Sequence, residues 1–274
     1  MPKVSVLTPI CNTNIQYFRE MIESVLNQTF KDFEFIILND SPDNIELDKI
    51  AAEYLRMDPR IRYMKNETNL GISESRNKLF HASNGEYLAI LDHDDVCLPR
   101  RLQEQVAFLD ENPNVGVVGT WVGVMGKGKP LHFPSDNMDI KRAMKHECVI
   151  SHSSSMIRKS VMEKNKIQWE VEYSPSEDYM LWARLFPYTL FHNIPKELLK
   201  WRIHKDSSGY RMRDLMADKS ELVRSYFEKE YPTFEEKDKW LLLFNIIPLI
   251  KMHRRGSSDV RCLLFGKIPV ARIK

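Results

Sequence analysis

Three short apolar runs in the first part of the chain each stop abruptly at polar residues. Residues 4–7 lead into Thr8-Pro9, "FEFIIL" leads into Asn39-Asp40, and "YLAIL" leads into Asp92-His93-Asp94-Asp95. Apolar, β-branched runs of this length read as buried strands. Stretches of helical spacing lie between them. "IQYFREMIESVLNQ" sets Ile15, Phe18, Met21, Ile22, Val25 and Leu26 along one face, with Asn14 placed to cap it. Ile45–Met57 and "GISESRNKLFHAS" read the same way, and "RIRYM" reads as a further short strand. Strands alternating with helices predict an α/β chain with a mainly parallel central sheet and helices on both faces. Ligands of such sheets bind outside the carboxyl ends of the strands, so the three polar ends should converge on one edge.

The rhythm continues with a helix at 102–111 and a strand in "VGVVG", then changes after Gly119. "GVMGKGKPLHFPSDNMD" is rich in loop formers, "CVISHSSSMIRKSVM" reads as a strand turning into a helix, and "YMLWARLF" as a helix beginning at Asp178. This half predicts a mixed α/β region forming the second wall of a cleft, followed by a mainly helical appendage from 213 onward.

With 43% hydrophobic and 28% charged residues over 274 positions, the chain can bury a sizeable core and has the balance of an ordinary soluble protein. Its four cysteines, Cys11, Cys97, Cys148 and Cys262, form no CxxC pair. That pattern predicts reduced thiols in an intracellular protein, with no disulfide framework or zinc site. "MPKVSVLTPI" lacks the build of a signal peptide, and "WLLLFNIIPLI" is too short to span a bilayer and is broken by Asn245 and Pro248. Net charge is +2, unevenly spread: residues 251–274 hold seven Lys/Arg against one acid, Asp259. That tail interleaves its basic residues with Leu, Phe, Ile and Val. It reads either as a helix packed on the domain with a basic rim, or as an attachment to an anionic membrane, where each basic residue contributes about 1 kcal/mol. No recognition motif accompanies the charge, which disfavours nucleic acid.

Close carboxylates repel, so the cluster at 92–95 needs a compensating partner. Oxygen-rich clusters suit hard divalent cations, Mn2+ or Mg2+, and a metal held by few protein ligands keeps positions open for phosphate oxygens. In an extended segment Asp92 and Asp94 point to the same side. The bland alternative is a solvated acidic turn capping the helix that begins near Pro99.

Six motifs, in order, resemble the inverting glycosyltransferases of family 2, whose nucleotide-sugar-binding fold is called GT-A. "VSVLTPICN" resembles the first strand and its nucleotide-contacting turn, and "FEFIILNDSPDN" the second strand with its uracil-contacting Asp. "NLGISESRN" resembles the helix that carries an Arg-Asn pair, here Arg76-Asn77, and "YLAILDHDDVCLPRRL" the DxD segment. "SEDYMLWARL" resembles the segment of the catalytic base, and "WRIHKDSSG" a downstream Tyr-Arg-x-His segment. The chain departs from the family where the second strand ends Asn39-Asp40-Ser41-Pro42 in place of Asp-Asp-Gly-Ser, at Cys11 where an aromatic is common, and at His93.

The resemblance implies transfer of a sugar from a nucleotide sugar, with UDP the expected nucleotide, to a glycan or lipid-linked saccharide. It implies a hexosyl- or N-acetylhexosaminyltransferase of bacterial surface-polysaccharide assembly, working with inversion in the cytoplasm, with the basic tail as peripheral membrane attachment. Residues 1–118 become the nucleotide-sugar half, 119–212 the acceptor half of the same domain, and 213–274 the basic, mainly helical extension. Such a reaction needs a metal to neutralise charge growing on the diphosphate and a base to take the proton of the attacking hydroxyl. By resemblance Asp94 is the principal metal ligand, His204 completes the metal or diphosphate site, and Asp92 contacts the ribose or supports the metal, with His93 in the same donor-binding segment. Thr8, Pro9 and Asn12 line the nucleotide pocket, Asp40 accepts from a uracil N–H, and Arg76 contacts the base or phosphates. Asp178 is the expected base. Glu177 and His152 face the acceptor, and Arg202 and Lys205 the diphosphate. Asp95 either orients the loop or serves as a helix N-terminal acid.

Three other classes compete. A Mg-dependent phosphotransferase or phosphatase with an aspartate nucleophile would carry its DxDx[TV] motif after the first strand, with Thr where this chain has Asp95. A sugar nucleotidyltransferase uses a Gly-rich basic loop after the first strand, which "TPICNTN" lacks. A non-catalytic binding module would keep the pocket but need no base. Donor sugar, acceptor and linkage depend on pocket shape in 119–213 and follow from no motif.

Overall fold

β1 (Val4–Ile10) is hydrogen-bonded to β2 (Phe33–Asn39) on one side and to β4 (Tyr87–Ile90) on the other, parallel to both, and β3 (Ile61–Lys65) adds outside β2 in the same sense. The computed structural model describes residues 1–126, 128–205, 207, 211–232, 250–255, 259–264 and 268–273. The chain divides into two units, Met1–Pro232 and Thr233–Lys274. In the first unit β5 (Val96–Cys97), β6 (Val115–Val124), β7 (Met156–Arg158) and β8 (Leu190–Trp201) complete an eight-stranded sheet of order β3-β2-β1-β4-β7-β6-β8-β5.

Every residue of β1 and β2 is buried, as strands covered on both faces require. Alternation sends Val4, Val6, Phe33, Phe35 and Ile37 into one cluster with Phe18, Met21, Ile22 and Val25 of α1 (Ile15–Leu26) and Leu47 and Ile50 of α2 (Ile45–Met57). Each such side chain contributes roughly 1.5–3 kcal/mol. α1 starts where expected: Asn14 Oδ1 accepts from the amides of Gln16 and Tyr17 at 2.9 and 3.3 Å. α3 (Ile72–Ala82) also packs on β1 and β2, and its buried Leu79 and Phe80 stand outside that cluster. α4 (Arg101–Glu111) precedes β6.

The sheet is mixed: β7 runs antiparallel to both β4 and β6, and β5 antiparallel to β8, while β6 and β8 are parallel. β7 is three residues long with Met156 and Ile157 fully buried, so nothing in its pattern marks a direction. The 118/119 division falls inside β6, and the two expected halves share that strand. The extension, expected to be mainly helical, is helical over α8 (Arg213–Glu230). That helix lies within the first unit and buries Val223 and Phe227 against α7 (Glu177–Leu185). Beyond it Ile250–Arg255, Asp259–Leu264 and Ile268–Ile273 are strands of an antiparallel three-stranded sheet, β9 to β11. Gly256, Gly266 and Pro269 break this segment into runs too short to propagate a helix. Most of "WLLLFNIIPLI" lies outside the described residues. Among those that are described, no helix is long and apolar enough to cross a membrane.

α5 (Asn137–Met144) buries Lys141 completely. Its Nζ donates to the carbonyls of Phe186 (2.5 Å) and Thr189 (2.9 Å), at the end of α7 where helix carbonyls lack partners. Burial pushes this ammonium down to about 7. A lysine whose folded value lies below its unfolded one penalises folding at low pH, and the penalty is relieved as pH rises from about 7 towards 10.5. Lys141→Met is therefore expected to cost more stability at about pH 9 than at about pH 7, because at the higher pH the wild-type amine keeps both hydrogen bonds with much of the penalty relieved. Urea unfolding of both proteins at the two pH values measures the difference. An equal cost at both would contradict it.

Candidate active site

The parallel register of β1, β2 and β4 brings their carboxyl ends to one edge. Ile10 lies opposite Asn39, and the Leu91 amide donates to Leu7 O at 3.1 Å. On the β2 side, Asp40 is nearly buried and its carboxylate is engaged by the chain itself. Oδ1 accepts from the Leu70 amide (2.8 Å) and Asn66 Nδ2 (2.7 Å), and Oδ2 from the Gly71 amide (2.9 Å). Gly71 adopts φ 83°, which glycine enters freely, and so turns its amide onto Asp40 at the start of α3. Asp40 thus anchors a turn. It also borders an open hollow of about 710 Å3 shared with Asn12, Ser41, Asn44, Glu67 and Asn69. Asn12, at φ 45°, donates its amide to Ser41 Oγ (3.1 Å). Thr8 and Pro9 are buried behind this rim, and the Thr8 hydroxyl has no hydrogen-bond partner.

Past β4 the acidic run closes as a turn, with the Asp95 amide donating to Asp92 O at 3.3 Å. It does not stay extended, so Asp92 and Asp94 diverge to different partners. Asp92 Oδ1 accepts from Arg76 Nη2 (2.9 Å), and Asp94 Oδ2 lies 2.8 Å from His204 Nε2. The Asp92 amide donates to Ser153 Oγ at 3.0 Å. Asp95 is buried. Its Oδ1 accepts from the Arg202 amide (3.0 Å) while Oδ2 has no partner. Burial, then the charges of Asp94 and Asp92, hold its carboxyl well above the ordinary range. His93 is half-buried with Nδ1 unpartnered, and Lys205 is exposed. Arg202, expected at the diphosphate, clasps the turn: Nε donates to Asp94 O (2.9 Å), Nη2 pairs with Glu20, and the guanidinium lies 4.1 Å from the centre of the Tyr17 ring.

No group of three or more His, Cys, Asp or Glu side chains stands ready to hold a metal among the described residues. The Asp94–His204 pair, with Asp92 two residues away, is a mixed oxygen and nitrogen donor set. It fits a divalent ion that takes its other ligands from phosphate oxygens and water.

On the opposite side, Arg76 Nη1 donates to Glu177 Oε1 at the first turn of α7, and both residues are buried. Asp178 follows, half-buried, with Oδ1 accepting from the Tyr179 amide at 2.7 Å. Burial, then repulsion from Glu177, pushes the Asp178 carboxyl up to about 7 against the pull of Arg76. Ser176 Oγ bonds Met216 O (3.1 Å) and Ser220 Oγ (3.0 Å), so α8 clips the start of α7.

His152 lies in a 3-10 turn, His152–Ser154, and is 6% exposed between the rings of Trp169 and Trp182. Trp169 Nε1 donates to its Nε2 at 3.0 Å, and Nδ1 has no partner. Sequence reasoning did not single out Tyr17, Glu20, Ser153 or Trp169. Ser153 sat inside the quoted "SHSSS" run, but nothing in α1 signalled that Tyr17 and Glu20 meet Arg202.

The chain matches the family description "Glycosyl transferase family 2" over residues 5–166. It is 36% identical over 210 residues to an uncharacterized glycosyltransferase of Methanocaldococcus jannaschii, covering 74% of this chain and 71% of that protein. It is 30% identical over 200 residues to the O-antigen biosynthesis glycosyltransferase WbnJ of Escherichia coli, covering 70% and 77%. Two solved structures share the fold. S. aureus TarS 1–349 in complex with UDP-GlcNAc superposes with a TM-score of 0.65 at 19% identity, over 90% of this chain and 79% of that one. The mannosyltransferase PcManGT from Pyrobaculum calidifontis in complex with GDP-Man and Mn2+ gives 0.63 at 13% identity, over 89% and 69%.

An indole nitrogen is a donor only, so the bond from Trp169 leaves the His152 proton on Nδ1. Burial, then the charges of Arg76 and Arg101, hold this imidazole well below its usual value. At pH 6.5, where an ordinary imidazole is half protonated, His152 is expected to be neutral and protonated at Nδ1. Nitrogen-15 NMR of the histidine rings reads both properties. A charged ring, or a proton on Nε2, would contradict the geometry.

Proposed function

Because the chain belongs to glycosyl transferase family 2, we propose that it is an inverting, metal-dependent enzyme moving a sugar from a nucleotide sugar to a glycan or lipid-linked saccharide. The observation that carries this reading is the meeting of two acidic sites through one buried guanidinium. Arg76 touches Asp92, beside the Asp94–His204 pair, and Glu177, beside Asp178. One site suits a donor diphosphate and the other suits an acceptor hydroxyl.

The nucleoside sits in the hollow bounded by Asn12, Asn44 and Asn69, whose amides offer donors and acceptors to a base edge. Asp40 holds its rim, and Thr8 and Pro9 back it. His93 lies in the same donor-binding turn. UDP is the favoured nucleotide, in keeping with the UDP-GlcNAc complex of one fold neighbour, and GDP is the comparison to run, given the GDP-Man complex of the other. Asp94 and His204, with Asp92 behind them, would hold Mn2+ or Mg2+, which when bound would neutralise charge on the departing diphosphate. Arg202 keeps that turn closed. Asp178 takes the proton of the acceptor hydroxyl as its oxygen bonds to the anomeric carbon. The bond from that carbon to the diphosphate oxygen breaks, and the nucleoside diphosphate leaves with the electron pair. Displacement with one base inverts the anomeric centre. Glu177 and His152 border the acceptor.

The relative named for O-antigen biosynthesis supports a surface-polysaccharide setting, with a hexose or N-acetylhexosamine transferred. The basic residues of 251–274 would attach the enzyme to the cytoplasmic face of an anionic membrane, where lipid-linked acceptors lie.

Screening UDP- and GDP-sugars for turnover identifies the donor. Asp178→Asn should then lower turnover by ~10²–10⁴-fold, the usual weight of a general base, with UDP affinity within about threefold of wild type. Wild-type turnover should rise as pH passes through about 7, where the Asp178 carboxylate forms. Near-normal turnover in Asp178→Asn would show that the base lies elsewhere.

A further inference from the structure

Resemblance assigns Arg76 to the nucleotide, but the geometry gives it a different task. Its side chain is 7% exposed, as is that of Glu177. Nη1 and Nη2 are committed to Glu177 and Asp92, carboxylates that lie 101 and 16 residues away in the chain. The hollow bounded by Asn12 and Asn69 is lined without Arg76. Its neighbour Asn77 fixes α3 in place: Nδ2 donates to Trp169 O (2.9 Å) and Oδ1 accepts from the Trp169 amide (3.0 Å). Arg76 Nε and Glu177 Oε2 are buried without partners, so this pair is held through one contact.

We propose that Arg76 is a positioning residue. It ties the turn that receives the donor diphosphate to the helix that carries the base, acts on the reaction by setting the Glu177 carboxylate beside Asp178, and does not hold the nucleotide. The proposal rests on the transferase reading of the site. A buried guanidinium held by two carboxylates fixes both in direction. Releasing Glu177 lets the first turn of α7 shift, and a displacement of about 1 Å at a base costs on the order of 10²-fold in rate.

The test is a double-mutant cycle on Arg76→Met and Glu177→Gln, reading turnover of the donor found in the screen and, separately, UDP affinity by calorimetry. Arg76→Met is expected to lose on the order of 10²-fold in turnover while binding UDP within about threefold of wild type. The double variant should be no slower than the slower single one. Multiplying losses would mean that Arg76 acts independently of Glu177, and a tenfold or greater loss of UDP affinity would mean that it holds the nucleotide. Either result overturns the proposal. Arg76→Lys, which keeps the charge without the forked geometry, gives the same readings if the methionine variant does not fold. If wild type turns over no nucleotide sugar, the transferase reading fails, while the UDP titration still decides whether Arg76 touches the nucleotide.

Discussion

A buried guanidinium must be paired, and the arrangement of this site depends on Arg76 being paired twice. Removing one partner from a buried ion pair typically costs roughly 3–5 kcal/mol, because it strands a charge in a poor solvent. Here that penalty falls on Glu177, whose side chain is as buried as that of Arg76, whereas Asp92 is 34% exposed and would still meet water if released. α3, the turn at 92–95 and the first turn of α7 are therefore held as one unit. The charges also set the chemistry. Burial first, and then the Glu177 carboxylate that Arg76 keeps beside it, push Asp178 up into the range where a base is useful.

The reversal of β7 serves the same edge. Because β7 runs antiparallel to β4, the residues entering it lie where β4 ends, and the Ile90 amide donates to Ser155 O at 3.0 Å. That entry brings Ser153 to the Asp92 amide. β8 is parallel to β6 and ends at Trp201, so the chain leaves it at the acidic turn and delivers Arg202 and His204 there. Behind the turn the fully buried Arg101 donates to Ile90 O (2.7 Å) and Ser155 O (3.0 Å), stitching β4 to the entry of β7. A wholly parallel sheet would place 152–154 at the far edge.

Much of this was legible because it follows from local pattern. β1, β2 and β4 were marked by apolar runs with polar ends, and α1, α2 and α3 by spacing and by Asn14. Their shared edge followed from the rule for strand–helix alternation, and the juxtaposition of Asp94 with His204 was implied by resemblance across 110 residues. Other features depend on partners distant in sequence. Arg76 and Arg202 carry no mark of what they will face: one is met by Glu177 and Asp92, the other by Glu20 and Tyr17. Asp40, expected at the nucleotide base, borders the hollow there, but nothing marked that it also accepts from two amides and a side chain of the turn beside it. The direction of β7 was unreadable in a three-residue strand, and helix was expected after 250 where short runs pair as strands.

The central claim is that the acidic turn receives a nucleoside diphosphate together with a divalent ion. Calorimetric titration of UDP in Mn2+ and in chelator, with wild type and Asp94→Ala, tests it most directly. The account predicts at least about tenfold tighter UDP binding by wild type with Mn2+, and loss of that difference in a folded Asp94→Ala protein. Equal UDP affinity with Mn2+ and with chelator in the wild type would contradict it.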